Sequence, residues 1–248
     1  MNINIIGKTT NQLYARPQTR FSNLQNNILT RRTINISTIN TSTQLYARPQ
    51  TRFRNVQNNI LTRRTINEFD NELPNDWEQK LNNAIEAAIY APNHKRSEPW
   101  TFYLLGPKAI EEVCKLNADI VASKKGEAAG EKKLKRWLQM PGWLVVTCVK
   151  SSEEDGGSSM DDPMSLARED YAAVCCAVQN LCLSLHSQGV GTKWTTGGVN
   201  FDDRFSEIVG FSSDKEYVCG TIWFGTALQQ PSPPMKKLAL DDVLKRTA

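Results

Sequence analysis

Trp77, Leu81, Ala84, Ile85 and Ala88 recur at helical spacing, which predicts a helix over 76–90 that Asn75 or Asp76 can cap and that Ala91-Pro92 ends. A shorter helix is expected from Asn55 to Arg64, on Val56, Asn59 and Ile60, with an arginine pair at its end. Thr101–Leu105 reads as a strand, and Pro107 opens a helix carrying Ile110, Val113, Cys114 and Leu116 on one face. Gly142–Val149 is a nearly continuous apolar run of strand length, as a strand buried on both faces would be. After an acidic, Gly- and Ser-containing loop over 153–162, Val174, Ala177, Val178, Leu181 and Leu185 mark a long helix from about Pro163 to Ser187, closed by Gly189. Its other face carries Ala172, Ala173, Cys176 and Leu183, so it is too apolar for a one-sided surface helix and belongs at the centre or at a subunit interface. Strands follow at 191–195 and 217–226, and Trp137, Trp143 and Trp223 are expected in the core.

Charge divides the chain. Residues 1–67 hold ten Lys or Arg and no acid, while 68–248 hold 20 Lys or Arg against 26 Asp or Glu, so the net +4 is a basic leader joined to a mildly acidic body. Residues 12–35 and 44–67 match at 22 of 24 positions, differing only at Ser22/Arg54 and Leu24/Val56. Two copies fall short of the three or more repeats a stacked solenoid needs. The leader, residues 1–53, scatters its apolar residues singly and reads as an organelle-targeting transit peptide (mitochondrion or plastid) or a disordered arm, with residues 54–248 as the folded domain. The body offers no basic surface for nucleic acid, and no run approaches the ~18 apolar residues of a membrane span. Six cysteines without a regular framework read as mostly buried free thiols, and two histidines make a metal site unexpected.

Three segments carry candidate chemistry. Arg63-Arg64-Thr65 offers two guanidinium forks and a hydroxyl, a set suited to a phosphate. Ala91-Pro92-Asn93-His94-Lys95-Arg96-Ser97-Glu98-Pro99-Trp100 is a helix end followed by a loop dense in donors. Gln188-Gly189-Val190-Gly191-Thr192-Lys193-Trp194-Thr195-Thr196-Gly197-Gly198 is a glycine-punctuated turn into a strand. Taken singly, an arginine pair is usually a solvated face, and the glycine turn lacks GxGxxG spacing.

Together the three resemble the nitroreductase family of flavoenzymes, most closely its small minimal branch, over about residues 54–248. The resemblance implies an α+β fold, a mainly antiparallel sheet flanked by helices, assembled as an intertwined homodimer with FMN between subunits. It places Arg63, Arg64 and Thr65 on the FMN phosphate and ribityl oxygens, with Asn67 nearby. His94 and Glu98 would approach the flavin from the partner subunit, Lys95 is a further cofactor-binding candidate, and Trp194, Thr195 and Thr196 would touch the flavin. Lys236 or Lys237 would supply a late cation to the phosphate, and Ser187, Gln188, Gly189, Val190, Gly191 and Thr192 match a stretch suggested for the nicotinamide nucleotide. No catalytic acid is assigned.

The implied activity passes hydride from NADH or NADPH through FMN to a small-molecule acceptor (a nitroaromatic, quinone or enone) in two half-reactions. A specialised relative that dehalogenates, desaturates or breaks down flavin, and a non-catalytic FMN-binding protein, remain alternatives. Two departures stand out. Asn67 occupies a position where many relatives carry a cation, for which Lys95 is expected to compensate, and Glu98 replaces a neutral glutamine. A cation near flavin N1 favours reduction and an ionised carboxylate opposes it.

Overall fold

β2 (Gly142–Val149), buried from Gly142 through Cys148, is the strand around which the domain is assembled. In the computed structural model, which describes residues 49–150, 163–233 and 235–247, β2 pairs antiparallel with β1 (Trp100–Leu104) on one side and with β4 (Glu216–Gly225) on the other. β3 (Gly191–Thr195) pairs antiparallel with the far side of β4, giving the order β1-β2-β4-β3. The first repeat copy, most of the 1–53 leader and the loop expected at 153–162 lie outside the described residues.

Alternation along the strands builds two cores. Leu144, Val146, Cys148, Ile222 and Phe224 face α2 (Trp77–Ala88) and α5 (Pro163–Ser187), where Leu81, Ala84, Val174, Val178, Leu181 and Leu185 are buried. Trp143, Val145 and Trp223 face the opposite layer, made by α3 (Pro107–Lys125), α4 (Glu127–Trp137) and α6 (Asp203–Val209) with Val113, Leu116, Trp137 and Phe205. Each large apolar side chain taken fully out of water here contributes about 1.5–3 kcal/mol. The mixed helix and antiparallel-sheet architecture is the one the resemblance implied.

α5 closes as its sequence demands. Val190 N–H donates to the Leu185 carbonyl at 2.9 Å and Gly189 N–H to that of His186 at 3.1 Å, with Gly189 in the left-handed region at φ 77. This 6→1 and 5→2 pair of bonds satisfies carbonyls that the helix end would leave open.

α1 (Pro49–Thr62) begins earlier than Asn55 and ends two residues before the expected Arg64. Asn59 Nδ2 donates to the Leu183 carbonyl at 3.0 Å, and Thr62 Oγ1 lies 3.0 Å from His186 Nε2, so α1 is pinned to the C-terminal half of α5. α6 was not predicted as a separate element, and of α4 only an exposed helix face over 132–136 was legible: α4 is cut from α3 by Gly126 at φ 86, and its Gly130 sits where a Cβ would be 2.8 Å from the Ala118 carbonyl oxygen. That close helix pair depends on a missing side chain, which hydrophobic periodicity does not register.

Beyond α1 the chain runs along the sheet edge. Thr65 bridges Thr192 in parallel and Phe69 bridges Ala227 in antiparallel fashion. Ile66 N–H donates to the Thr192 carbonyl at 3.0 Å and Asp70 N–H to that of Thr226 at 2.9 Å. Gly191 permits this approach, since a Cβ there would lie 2.7 Å from Ile66 Cγ1.

A register shift between Val146 and Thr147 pairs them with Gly220 and Val218, leaving Cys219 as the extra residue of a β-bulge. The Trp194 indole occupies the room left by Gly220: a Cβ on Gly220 would stand 2.2 Å from Trp194 Nε1, which donates to the Cys219 carbonyl at 3.2 Å. Gly220→Ala is expected to cost about 1–3 kcal/mol, the usual cost of overpacking. Urea unfolding followed by circular dichroism checks it, and a variant as stable as the parent would refute the packing account.

Candidate functional site

Two backbone features converge at the C-terminal end of α1. Arg63 and Arg64 leave the helix there, and the Gly189–Thr192 turn passes from α5 into β3 beside them. Between them lies a cleft of about 90 Å³ lined by Arg63, Arg64, Ile66, His186, Gly189–Thr192 and Gln230. Among the described residues no carboxylate lines it. Arg64 turns back to cap its own helix, donating from Nη1 to the Leu61 carbonyl at 2.7 Å and the Arg63 carbonyl at 2.8 Å. A cation at a helix C-terminus is favourably placed against the dipole.

His186 is the residue that sequence reasoning passed over. Burial, then the charges of Arg63 and Arg64, hold its imidazole below the ordinary value of about 6.5, so it is neutral at pH 7 and leaves the cleft's positive charge to the arginines. The only signal in the sequence was its place in the last turn of α5, three residues before Gly189.

Thr65 and Asn67 follow along the edge, both exposed. Asn67 Oδ1 accepts from Lys193 Nζ at 2.8 Å, and that ammonium also lies 5.4 Å from the Trp223 ring centroid. Within one chain the cation at Asn67 is therefore Lys193 of β3. Burial foremost, then Arg136 and Lys133, lower the Lys193 value. Trp194 is about two-fifths exposed, and Thr195 and Thr196 continue from it at the far end of β3.

Ser187 and Gln188 serve structure. Ser187 Oγ donates to the Ser184 carbonyl at 2.8 Å, and Gln188 Nε2 donates to the carbonyls of Lys80 at 3.2 Å and Ser184 at 3.1 Å. Lys236 and Lys237 are exposed, and Gln230, on the near side of Pro231 and Pro233, is the tail residue that lines the arginine cleft.

His94, Lys95 and Glu98 form a second group elsewhere. His94 lies on a 3₁₀ turn with Nδ1 3.4 Å from Glu169 Oε2, and Ser97 Oγ donates to Asp170 Oδ1 at 2.7 Å. Asn93 Oδ1 holds the Glu98 N–H at 3.1 Å. Lys95, Arg96 and Glu98 have φ of 50, 60 and 45, three non-glycine residues in sparsely allowed backbone within four positions. Such strain, about 1–3 kcal/mol per residue, clusters at functional loops. A cleft of about 340 Å³ opens here between His94, Lys95, Pro99, Val149, Leu166 and Asp170. This loop is tied to Glu169 and Asp170, whereas the arginine cleft is tied to His186. At 1.5 Å per residue, the sixteen residues of α5 from Asp170 to His186 separate the two by about 24 Å. One chain brings Arg63, Arg64, Thr65 and Asn67 together with β3, but not with His94, Lys95 and Glu98.

Among the described residues no helix is long and apolar enough to cross a membrane, and no group of three or more His, Cys, Asp or Glu residues is placed to hold a metal.

The model described as the nitroreductase family matches residues 60–226. The chain is 27% identical over 158 residues to the Bacillus subtilis protein named "Putative NAD(P)H nitroreductase YfhC", covering 62% of this chain and 74% of that one. Among solved structures it is similar to a nitroreductase-like family protein from Bacillus cereus, with a TM-score of 0.62, 24% identity, and coverage of 77% of this chain and 95% of the other. A nitroreductase with bound FMN from Desulfitobacterium hafniense aligns with a TM-score of 0.57, 18% identity, and coverage of 78% and 98%.

The state of His186 is measurable. Its folded value lies below the unfolded one, so between the two the unfolded chain binds more protons and stability falls as pH drops below about 6.5. His186→Gln is expected to flatten that part of the stability–pH curve. A dianion in the cleft offsets the two arginines, so inorganic phosphate is expected to raise the His186 midpoint in an imidazole-proton NMR titration. A midpoint unmoved by phosphate would count against the cleft as an anion site.

Proposed function

The chain belongs to the nitroreductase family, and we propose that it is an FMN-dependent NAD(P)H oxidoreductase that reduces nitroaromatic, quinone or enone acceptors by a two-step, ping-pong exchange. One observation carries the reading: an arginine pair and a glycine turn enclose a cleft that, among the described residues, no carboxylate lines. A phosphate near two negative charges is matched by two guanidinium groups and the neighbouring hydroxyl of Thr65. The naming of the Bacillus subtilis relative and the FMN held by the Desulfitobacterium structure support the same cofactor and reductant.

Bound there, FMN supplies the hydride-accepting and hydride-donating chemistry. The chain's own part is placement and charge. Arg63, Arg64 and Thr65 hold the phosphate and ribityl oxygens. Lys193, steadied on Asn67, would set beside the bound group the positive charge that Asn67 itself lacks, a charge that favours its reduction. Trp194, Thr195 and Thr196 line the ring, with the indole fixed over Gly220.

His94, Lys95 and Glu98 complete the site from a second copy of the chain, because about 24 Å of α5 is further than one mononucleotide reaches. Val56, Ile60 and Leu61 on α1, and Leu238, Leu240 and Val243 near the C-terminus, are 50–70% exposed and are the apolar surface that the second copy covers. Residues 1–53 are proposed as a leader removed on import into an organelle, so mass spectrometry of the native protein is expected to find a start between residues 36 and 54. A native protein that keeps residue 1 would refute this.

The cofactor assignment is tested by Arg63→Ala with Arg64→Ala, which is expected to purify without flavin while Arg31→Ala with Arg32→Ala remains yellow. Full flavin content in the first variant would overturn it. Stopped-flow bleaching by NADH or NADPH, then reoxidation by menadione or nitrofurazone, reads the two half-reactions; a flavin reduced only by dithionite would leave a binding protein. Shared sites also predict complementation. Mixing the Arg63/Arg64 variant with His94→Ala/Lys95→Ala is expected to restore roughly a quarter of the parental sites, since a two-fold dimer of unlike chains keeps one intact site. No recovery on subunit exchange would sink the shared-site account.

A further inference from the structure

The cationic run Lys132-Lys133-Leu134-Lys135-Arg136 has no part in the reading above, and in the sequence it resembled an exposed helix face. The fold sorts it. Lys132 and Lys135 point to solvent, whereas Lys133 lies over the Trp137 ring, 5.7 Å from its centroid. Arg136 lines a cleft of about 570 Å³ together with Asn67, Glu68, Phe69, Gln139 and Met140.

Lys193 joins them from β3. Its ammonium lies over Trp223, whose ring centroid is 5.3 Å from that of Trp137, so two ammonium groups rest on adjacent indoles. Its hydrogen bond to Asn67, which lines that cleft, ties Lys193 to the cleft's edge, although neither Lys193 nor Lys133 is a lining residue. None of the three cations has a carboxylate partner among the described residues, and Glu68 is the acid that lines the cleft. The Trp223 indole N–H, buried beneath Lys193, also lacks an acceptor. Three like charges gathered together repel one another, and burial, then repulsion from Arg136 and Lys133, holds Lys193 below the ordinary lysine value. An anion entering the cleft relieves that repulsion.

We propose that this cleft binds the anionic end of a reactant, a phosphomonoester or carboxylate carried by the nucleotide reductant or by the acceptor, on Arg136, with the charges of Lys133 and Lys193 beside it. The proposal rests on the flavin reading, because Asn67 is shared between the cleft and the edge segment that begins at the arginine pair. It adds a discrimination that reading lacks. NADPH differs from NADH by one 2′-phosphate, and 4-nitrobenzoate differs from nitrofurazone in carrying a carboxylate. A guanidinium and an ammonium distinguish either pair by charge-assisted hydrogen bonds.

The test is Lys133→Ala with Arg136→Ala in the flavin-loaded full chain; neither residue belongs to the proposed flavin site. Flavin content, read by visible absorption, is expected to stay at the parental level and kcat to remain unchanged. If the nucleotide supplies the anion, KM for NADPH rises roughly tenfold while KM for NADH is unmoved. If the acceptor supplies it, KM for 4-nitrobenzoate rises by a similar factor while that for nitrofurazone is unmoved. Both ratios unchanged in a yellow, active variant would overturn the inference and leave the flavin reading standing. Should the parent hold no flavin, that reading fails by itself. The cleft is then titrated by calorimetry with adenosine 2′-monophosphate and with 4-nitrobenzoate. Binding weakened by the Lys133/Arg136 variant and kept by the Arg63/Arg64 variant supports the cleft; no binding, or the reverse dependence, refutes it.

Discussion

The candidate site depends on how closely the chain beyond α1 is drawn against β3. The Ile66–Thr192 hydrogen bond fixes the approach, and Gly191 makes room for it by presenting no side chain to Ile66. Through this contact the arginines meet the Gly189–Thr192 turn and Asn67 comes within reach of Lys193. The bonds pinning α1 to α5 determine where that segment starts, and the bridge from Phe69 to Ala227 determines where it leads. Without the contact, Arg63 and Arg64 would be two cations at the end of a solvated helix.

Charge is arranged by exclusion as much as by attraction. Acids are numerous in the body of the chain, yet the arginine cleft has none on its wall. Burial, then the two arginines, favour the neutral form of its histidine, so the cleft's positive charge rests on the guanidinium groups. At the other end of α5 the pattern reverses. Glu169 and Asp170 hold a loop whose backbone is twisted into unfavourable φ at Lys95, Arg96 and Glu98. One end offers cations to a ligand, and the other holds donors in place with acids.

The sequence exposed the elements that periodicity and length make plain. β2 and β3 lie where they were expected and so does the long helix α5 with its closing glycine, because each is bounded by strong chemistry and faces a single environment. The three tryptophans are core residues for the same reason. Less legible were α4 and α6, the first depending on a glycine contact with its neighbour and the second being short. The candidate residues could be picked out by type, but not their grouping. Lys193 was not legible as the partner of Asn67 because a side chain on a neighbouring strand is close in space while 126 residues distant in the chain. That His94 lies far from Arg63 follows from the length of α5, which separates two segments only about thirty positions apart.

Because one unbroken helix links the arginine cleft to the strained loop, it acts as a ruler with a phase. Inserting or deleting a single residue between Asp170 and His186 would turn one end against the other by roughly 100° and shift it by about 1.5 Å. Point substitutions on the solvent side of this stretch are easily absorbed, whereas changes of length are not. Relatives that keep both ends should therefore conserve the number of residues between them more strictly than the residues themselves.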